Sequence, residues 1–427
     1  MSTRRVRRGP TPSRSEPPWA VVRERAKVLV PAGASVLTLI LFACTWGPRP
    51  DTPAQPLPPQ DLHPHVRIAL IESAPTVTVT LEGPWEIDPD NGSRQIVEDG
   101  GKLTIRPDGQ FLVLEGELVS LRLRGTQAVA FRPFPYWSSD PDQVPGLLLV
   151  DGRRYRGELT VKRLEGGGLR AINAVGIEDY LSGVIGHEMP IRWSDAALQA
   201  QTIAARTYAL TNLKPRQDHD LKADTRSQVY SGVIGEDDRA RQLVAQTRGQ
   251  VVAHGGELIV TYYHSTCGGD TVPAKWVFPW VKEDSVPLSG ATGCTCQPSR
   301  YFRWSKDVQL GGDDAVRGLV VKLPLKEVVV THWPRGQYVK QVAFTGADGN
   351  TTTVSGWDAR SLFGLRGYAF DIQLQGDGES LAITGRGWGH GVGMCQFGAE
   401  GFAKQGLNAR QILAHFYPGT TVETLGY

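Results

Sequence analysis

The chain has 427 residues, 40% of them hydrophobic and 21% charged, with a formal net charge of +2. That length suits two or three domains, or one large domain with insertions, and the composition is ordinary for a globular protein. The near-neutral balance argues against a dedicated nucleic-acid partner, since the basic residues that cluster lie at the N-terminus.

Arg4, Arg5, Arg7, Arg8 and Arg14 form a basic lead, followed by an apolar stretch from Val28 to Cys44. This fits an export segment. Three readings stand: a lipoprotein signal with Cys44 as the lipidated residue, an uncleaved membrane anchor, or a plain cleaved signal. The stretch is just under the ~20 residues that a spanning helix needs. All three place the remainder outside the cytoplasm, in the cell envelope. Prolines at 48, 50, 53, 56, 58, 59 and 64 then mark residues 45–65 as a stiff tether.

Short β-prone runs come next: Val66–Ile71, Thr76–Leu81, Leu103–Ile105, Leu112–Leu114, Leu118–Leu123 and Leu147–Val150. Turn signals such as Pro89-Asp-Asn-Gly92 and Pro107-Asp-Gly109 separate them. Residues 66–165 therefore read as a β-rich part.

Two helices follow, within a helical part at 166–250. In the first, Ile177, Tyr180, Leu181, Val184 and Ile185 recur at helical spacing. Pro190 stops it, which puts Glu188 at or just past its C-terminal end. The partial negative charge there opposes ionisation and tends to raise a carboxyl pKa. A carboxylic acid kept protonated near neutral pH is what general-acid cleavage of a glycosidic bond needs. The plain alternative is a solvated surface glutamate. The second helix begins after Ser194 and runs to about Leu210, rich in alanine. Gln199, Thr202 and Arg206 form a polar stripe along it, either a solvated face or one wall of a site.

The mixed part, 251–425, holds strand-like pieces at Gln250–Ala253, Leu258–Tyr263, Leu319–Val321 and Val328–Val330, with a small inserted lobe between Gly311 and Leu374. Gly385-Arg-Gly-Trp-Gly-His-Gly-Val-Gly393 is a Gly-rich loop entering a helix near Met394. It lacks the Lys-Ser/Thr pair of a phosphate loop, so glycines holding Trp388 and His390 close to a ligand is the better reading. A last helix follows Asn408 and stops before Pro418. The fold class is mixed α+β, with the strands and Gly-rich loops forming a groove.

Apart from Cys44 there are four cysteines: Cys267, Cys294, Cys296 and Cys395. An even number outside the cytoplasm suggests two disulfides, although a Cys294–Cys296 bridge would be strained. Together with His264 the same residues offer soft ligands for zinc. Both readings stay open on the residues alone.

Four runs in order resemble the stage II sporulation protein D (SpoIID/LytB) family of bacterial cell-wall proteins. They are Glu178-Asp-Tyr-Leu-Ser-Gly-Val-Ile-Gly-His-Glu-Met-Pro190, Leu198-Gln-Ala-Gln-Thr-Ile-Ala-Ala-Arg-Thr-Tyr-Ala-Leu210, Tyr263-His-Ser-Thr-Cys-Gly-Gly269 and Gly387-Trp-Gly-His-Gly-Val-Gly-Met-Cys-Gln-Phe-Gly-Ala399. Gln411-Ile-Leu-Ala-His-Phe-Tyr-Pro-Gly-Thr420 is similar to the family's C-terminal helix, so the likeness runs from about Val66 to Thr420. The resemblance implies a lytic transglycosylase acting on peptidoglycan glycan strands stripped of their stem peptides, with Glu188 in the place of the catalytic glutamate. One carboxyl would act first as acid, then as base. It also implies zinc near the site with His264 among its ligands, whereas the four cysteines are candidates from local chemistry only. Gln199, Arg206, Tyr208 and His390 are the candidates for binding sugar hydroxyls and acetamido groups. Other members, of the LytB type, modify or stimulate a cell-wall amidase, and this supplies a rival reading in which the chain binds glycan or enzyme without cutting. Zinc-dependent hydrolysis is weaker, because no His-Glu-x-x-His run is present.

Overall fold

A computed structural model describes residues 64–98, 100–134, 147–311, 319 and 321–427. Cys44, the export segment and nearly all of the Pro-rich tether lie outside these residues. No helix among the described residues is long and apolar enough to cross a membrane.

The β-rich part builds two sheets. One has seven strands in the order Leu221–Lys222, His65–Ala74, Leu169–Gly176, Glu158–Arg163, Ala128–Pro133, Trp85–Pro89 and Gln95–Val97. The other has six: Arg153–Tyr155, Leu148–Val150, Val77–Leu81, Gly101–Asp108, Phe111–Gly116 and Ser120–Arg124. Side chains on a strand alternate between faces. Val77, Val79 and Leu81 accordingly point inward, while Thr78 and Thr80 stay half-buried. Leu103, Leu112 and Leu114 of the six-stranded sheet share one apolar core with Trp85, Ile87, Phe131, Leu159 and Val161 of the seven-stranded one.

The described residues contain seven α-helices: α1 (Ile177–Glu188), α2 (Asp195–Thr211), α3 (Asp238–Gln246), α4 (Ala274–Val277), α5 (Gly356–Leu362), α6 (Gln396–Lys404) and α7 (Ala409–Phe416). The five apolar residues spaced along α1 are all buried. Met189 turns extended and ends the helix before Pro190, so Glu188 is its last residue. Helix α2 starts at Ser194 as expected, yet the Ser194 side chain makes no capping bond; its backbone N–H instead donates to the Glu400 carboxylate of α6 at 2.9 Å. Asn408 and Gln411 close a reciprocal capping box on α7.

The lobe is wider than its sequence suggests, spanning 304–386. It has one sheet of Trp304–Gln309, Ser380–Arg386 and Ala369–Leu374, and another of Glu327–His332, Val339–Thr345 and Thr351–Ser355. Its core is its own, around Val342, Phe344, Phe363, Phe370 and Leu381. Two expected strands are not formed as read. Leu258–Tyr263 breaks into two short pieces, Glu257–Leu258 and Tyr263–His264, and no strand covers 319 or 321.

Candidate active site around Glu188

Glu188 sits half-buried at the end of α1. Its Oε1 accepts from the Val229 backbone N–H at 3.1 Å, and its Oε2 from Gln396 Nε2 at 3.4 Å. The Tyr263 hydroxyl acts on it as a third donor. A chain of bonds stands behind that hydroxyl. Tyr180 donates to Gln228 Oε1 at 3.0 Å, and Gln228 Nε2 donates to the Tyr263 oxygen at 2.8 Å. The Tyr263 oxygen already accepts a hydrogen bond from Gln228, so its own O–H points at Glu188.

Burial outweighs these donors. Desolvation pushes the Glu188 carboxyl up to about 7, while Val229, Gln396 and Tyr263 each pull it down. The helix end, expected from the sequence to raise this carboxyl, is secondary to loss of water. No second carboxylate acts on Glu188 among the described residues. The group is therefore an isolated acid, divided between its two forms near neutrality, with three donors ready for its anion.

The substrate-binding candidates separate. Tyr208 lies close enough to feel the Glu188 charge, and its ring meets Tyr263 and Tyr262 edge-on at 6.2 and 6.4 Å. Arg206 does not face a ligand. It is fully buried, paired with Glu178 at 2.7 Å, and donates to the Gln250 carbonyl at 3.0 Å. Gln199 bonds Gln246. Thr202 of the same stripe is buried and bonds back to the Leu198 carbonyl. Thr202 and Arg206 of the stripe are thus enclosed, while Gln199 stays half-buried with its bond at the surface. His390 spends both ring nitrogens on backbone, Nε2 on the Tyr263 carbonyl at 2.9 Å and Nδ1 on the Val392 N–H at 3.1 Å. The residues that sequence reasoning leaves without a role are Gln396, Gln228, Tyr180 and Tyr263. Only the position of Gln396, at the exit of the Gly-rich loop, hints at one. A partly exposed aromatic pair, Trp193 and Phe397, stands beside Gln396 with ring centroids 4.8 Å apart.

The Gly-rich loop holds its path through left-handed backbone at Gly387, Gly389, Gly391 and Gly393, with φ of 78°, 105°, 76° and 66°. At Gly391 a Cβ would also fall 1.8 Å from the Tyr338 hydroxyl. The loop delivers Met394–Cys395, which pairs in parallel with Tyr263–His264.

Cys267, Cys294, Cys296 and Cys395 come together. All four are free and buried, and their sulfurs lie within 4.8 Å of one another. Sulfurs at ~2.3 Å from a tetrahedral zinc stand about 3.8 Å apart; Cys267 and Cys296 Sγ are separated by 3.6 Å. Four soft donors at this spacing suit one metal ion such as zinc. His264 lies outside the quartet. Its Nδ1 meets the Val392 carbonyl at 3.2 Å, and its Nε2 is buried with no hydrogen-bond partner.

The model of the SpoIID family, "Stage II sporulation protein", matches residues 165–254, the segment carrying α1, α2 and α3. Stage II sporulation protein D of Bacillus subtilis is 26% identical over 278 residues, covering 59% of this chain and 76% of that protein. An uncharacterized protein of Brachyspira hyodysenteriae is 30% identical over 259 residues, 59% of this chain and 67% of its own. The amidase enhancer of Bacillus subtilis is 27% identical over 286 residues, 57% of this chain but only 40% of its own length. The chain belongs to the stage II sporulation protein D (SpoIID/LytB) family.

Proposed function

We propose that this protein acts on peptidoglycan glycan strands from the outer side of a membrane, as a lytic transglycosylase with Glu188 as its proton donor. The observation that carries the reading is an isolated, half-buried carboxyl raised to about 7 and held by three donors. Protonated Glu188 gives its proton to the oxygen joining N-acetylmuramic acid to N-acetylglucosamine, and the bond from that oxygen to the muramyl carbon breaks. The charge left on Glu188 is taken up by the Val229 N–H, Gln396 and Tyr263. The carboxylate then accepts the proton of the sugar's own 6-hydroxyl as that oxygen closes on the muramyl carbon. A 1,6-anhydro end results, and Glu188 is again protonated. Two-carboxylate hydrolysis needs a partner acid, and among the described residues no second carboxylate perturbs Glu188. Trp193 and Phe397 supply an aromatic lip on which a sugar ring packs. Cys267, Cys294, Cys296 and Cys395 would hold a zinc ion that organises structure, away from the bond that breaks.

A second reading is supported by the likeness to the amidase enhancer and by the pairing of Arg206 with Glu178 and of His390 with backbone, which occupies both within the chain. There the chain binds glycan, or an amidase, without cutting. Mass spectrometry of denuded glycan strands incubated with the wild-type protein and with Glu188→Gln separates the two. Anhydro-muramyl ends made by the wild type alone support cleavage. Uncut strands together with stimulation of an amidase by both proteins support the second reading.

A further inference from the structure

The four-cysteine cluster and Glu188 lie on one structural thread. Cys395 is the N-cap of α6, its sulfur accepting from the Gly398 N–H at 3.3 Å. The next residue, Gln396, reaches Glu188 Oε2. On the neighbouring strand His264 stands opposite Cys395, and its predecessor Tyr263 is the other side-chain donor to Glu188. Cys267, three residues beyond that strand, donates its N–H to Cys395 Sγ at 3.3 Å. Of the two side chains that hold the acid, Tyr263 is therefore borne on the strand paired with Met394–Cys395, and Gln396 opens α6 directly after Cys395.

The cluster also has the marks of a closed thiolate centre. Backbone N–H groups of Cys267, Gly269 and Gly398 all point at cysteine sulfur, at 3.3–3.4 Å. Such donors compensate anionic sulfur, as the outer shell of a metal centre does. Helix α6 fits against the cluster only because residue 398 is glycine: a Cβ there would lie 2.3 Å from Cys294 Sγ. The ligands come from both sides of the lobe, Cys294 and Cys296 before Trp304 and Cys395 after Arg386. A bond among them closes the lobe's root.

We infer that Cys267, Cys294, Cys296 and Cys395 bind one tetrahedral zinc ion as a positioning clamp, which fixes the Tyr263–His264 and Met394–Cys395 strands so that Tyr263 and Gln396 grip the Glu188 carboxyl. Gln396 and Tyr263 are then positioning residues and the metal touches no substrate. The inference rests on the reading of Glu188 as a proton donor only for its activity readout.

The test uses the full chain in three forms: wild type, Gln396→Ala and Cys395→Ser. Elemental mass spectrometry should find one zinc per chain in the wild type and in Gln396→Ala, and a loss in Cys395→Ser. Replacement by cobalt(II) should give the sulfur-to-metal absorption of a tetrahedral thiolate site in the first two alone. Carbon-13 NMR of the Glu188 carboxyl, assigned with Glu188→Gln, should show its titration moving upward by roughly one unit in both variants, since each loses a donor to the anion. Glycan cleavage near neutral pH should fall roughly ten- to a hundredfold in both, the worth of a hydrogen bond to a charged group. Because Cys395→Ser can fail to fold, removal of zinc from the wild type by a chelator, with circular dichroism unchanged, should reproduce the same NMR shift. Two disulfides and no zinc in the isolated protein would overturn the metal assignment. Zinc present, but an unmoved Glu188 titration after its removal, would overturn the clamp. The NMR and metal readouts stand even where the wild type cuts no glycan, so failure of the clamp and failure of the transglycosylase reading are distinguishable.

Discussion

The two-sheet body and the region around Glu188 are stabilised by different means. The body hides alternate side chains of its strands in an apolar core that runs on into α1, α2, α6 and α7. Burial of that kind is non-directional and tolerates modest changes of shape. The helical part that carries Glu188 buries polar groups instead: Gln228, Gln201, Gln396, Thr207 and, by Glu178 at the other end of α1, Arg206 are all nearly inaccessible. Each holds its place through directional bonds, so an error of one partner is costly there. The lesson is that the two regions, continuous in their apolar packing, differ in how far they rely on directional bonds, and mutations should sort accordingly.

The largest effects should come from emptying either store. Phe131→Ala, in the body's core, should lower unfolding free energy by about 3–5 kcal/mol in chemical denaturation. Arg206→Ala should lower it by a similar amount, about 3–5 kcal/mol, because Glu178 is left without its partner. Equal losses from a ring and from a guanidinium would support the contrast, and a negligible loss at Arg206 would break it. Glu188→Gln should act in the opposite direction. Its folded carboxyl is raised to about 7, so the folded state favours the protonated form. The resulting stability is fully present below the unfolded pKa and is lost as pH rises through about 7. The variant should therefore be more stable than wild type at pH 8, by about 1–3 kcal/mol, and no more stable at pH 4. Thermal melts at the two pH values check the sign. The smallest effect should be that of Asn408→Ala, which opens the capping box of α7 and should cost about 1 kcal/mol at any pH between 5 and 8.

Local patterns are legible in the amino-acid order itself. The period-2 runs at 77–81 and 103–105, the apolar stripe of α1, the end of α1 at Glu188 and the Asn408 cap all depend on neighbours within a few positions. What depends on distant partners is not legible in that way. Arg206 reads as one wall of a site because nothing nearby in sequence shows that Glu178 receives it. His390 reads as a ligand contact for the same reason, since its partner is the carbonyl of Tyr263, 127 positions earlier. Gln228 and Gln396 resemble any other polar residue until the fold brings them to one carboxylate. The cysteines are visible as a set, but spacing cannot choose between bridges and a single centre. The convergence of 267, 294, 296 and 395 within one small volume, which a single centre requires, is visible only in the fold.

The strands at the two ends of the lobe add a consequence for how such a chain is assembled. Trp304 and Gly385 are direct antiparallel partners, so the entry and exit of some eighty residues lie one strand spacing apart, about 5 Å. A segment that leaves and rejoins through so narrow a gate, with its own core, behaves as a cassette. Its attachment is not confined to that gate: Tyr338 donates to the Cys267 carbonyl at 3.4 Å, and Tyr338 and Tyr368 pack with Tyr262 and Phe278 outside the lobe, so any exchange must preserve these contacts.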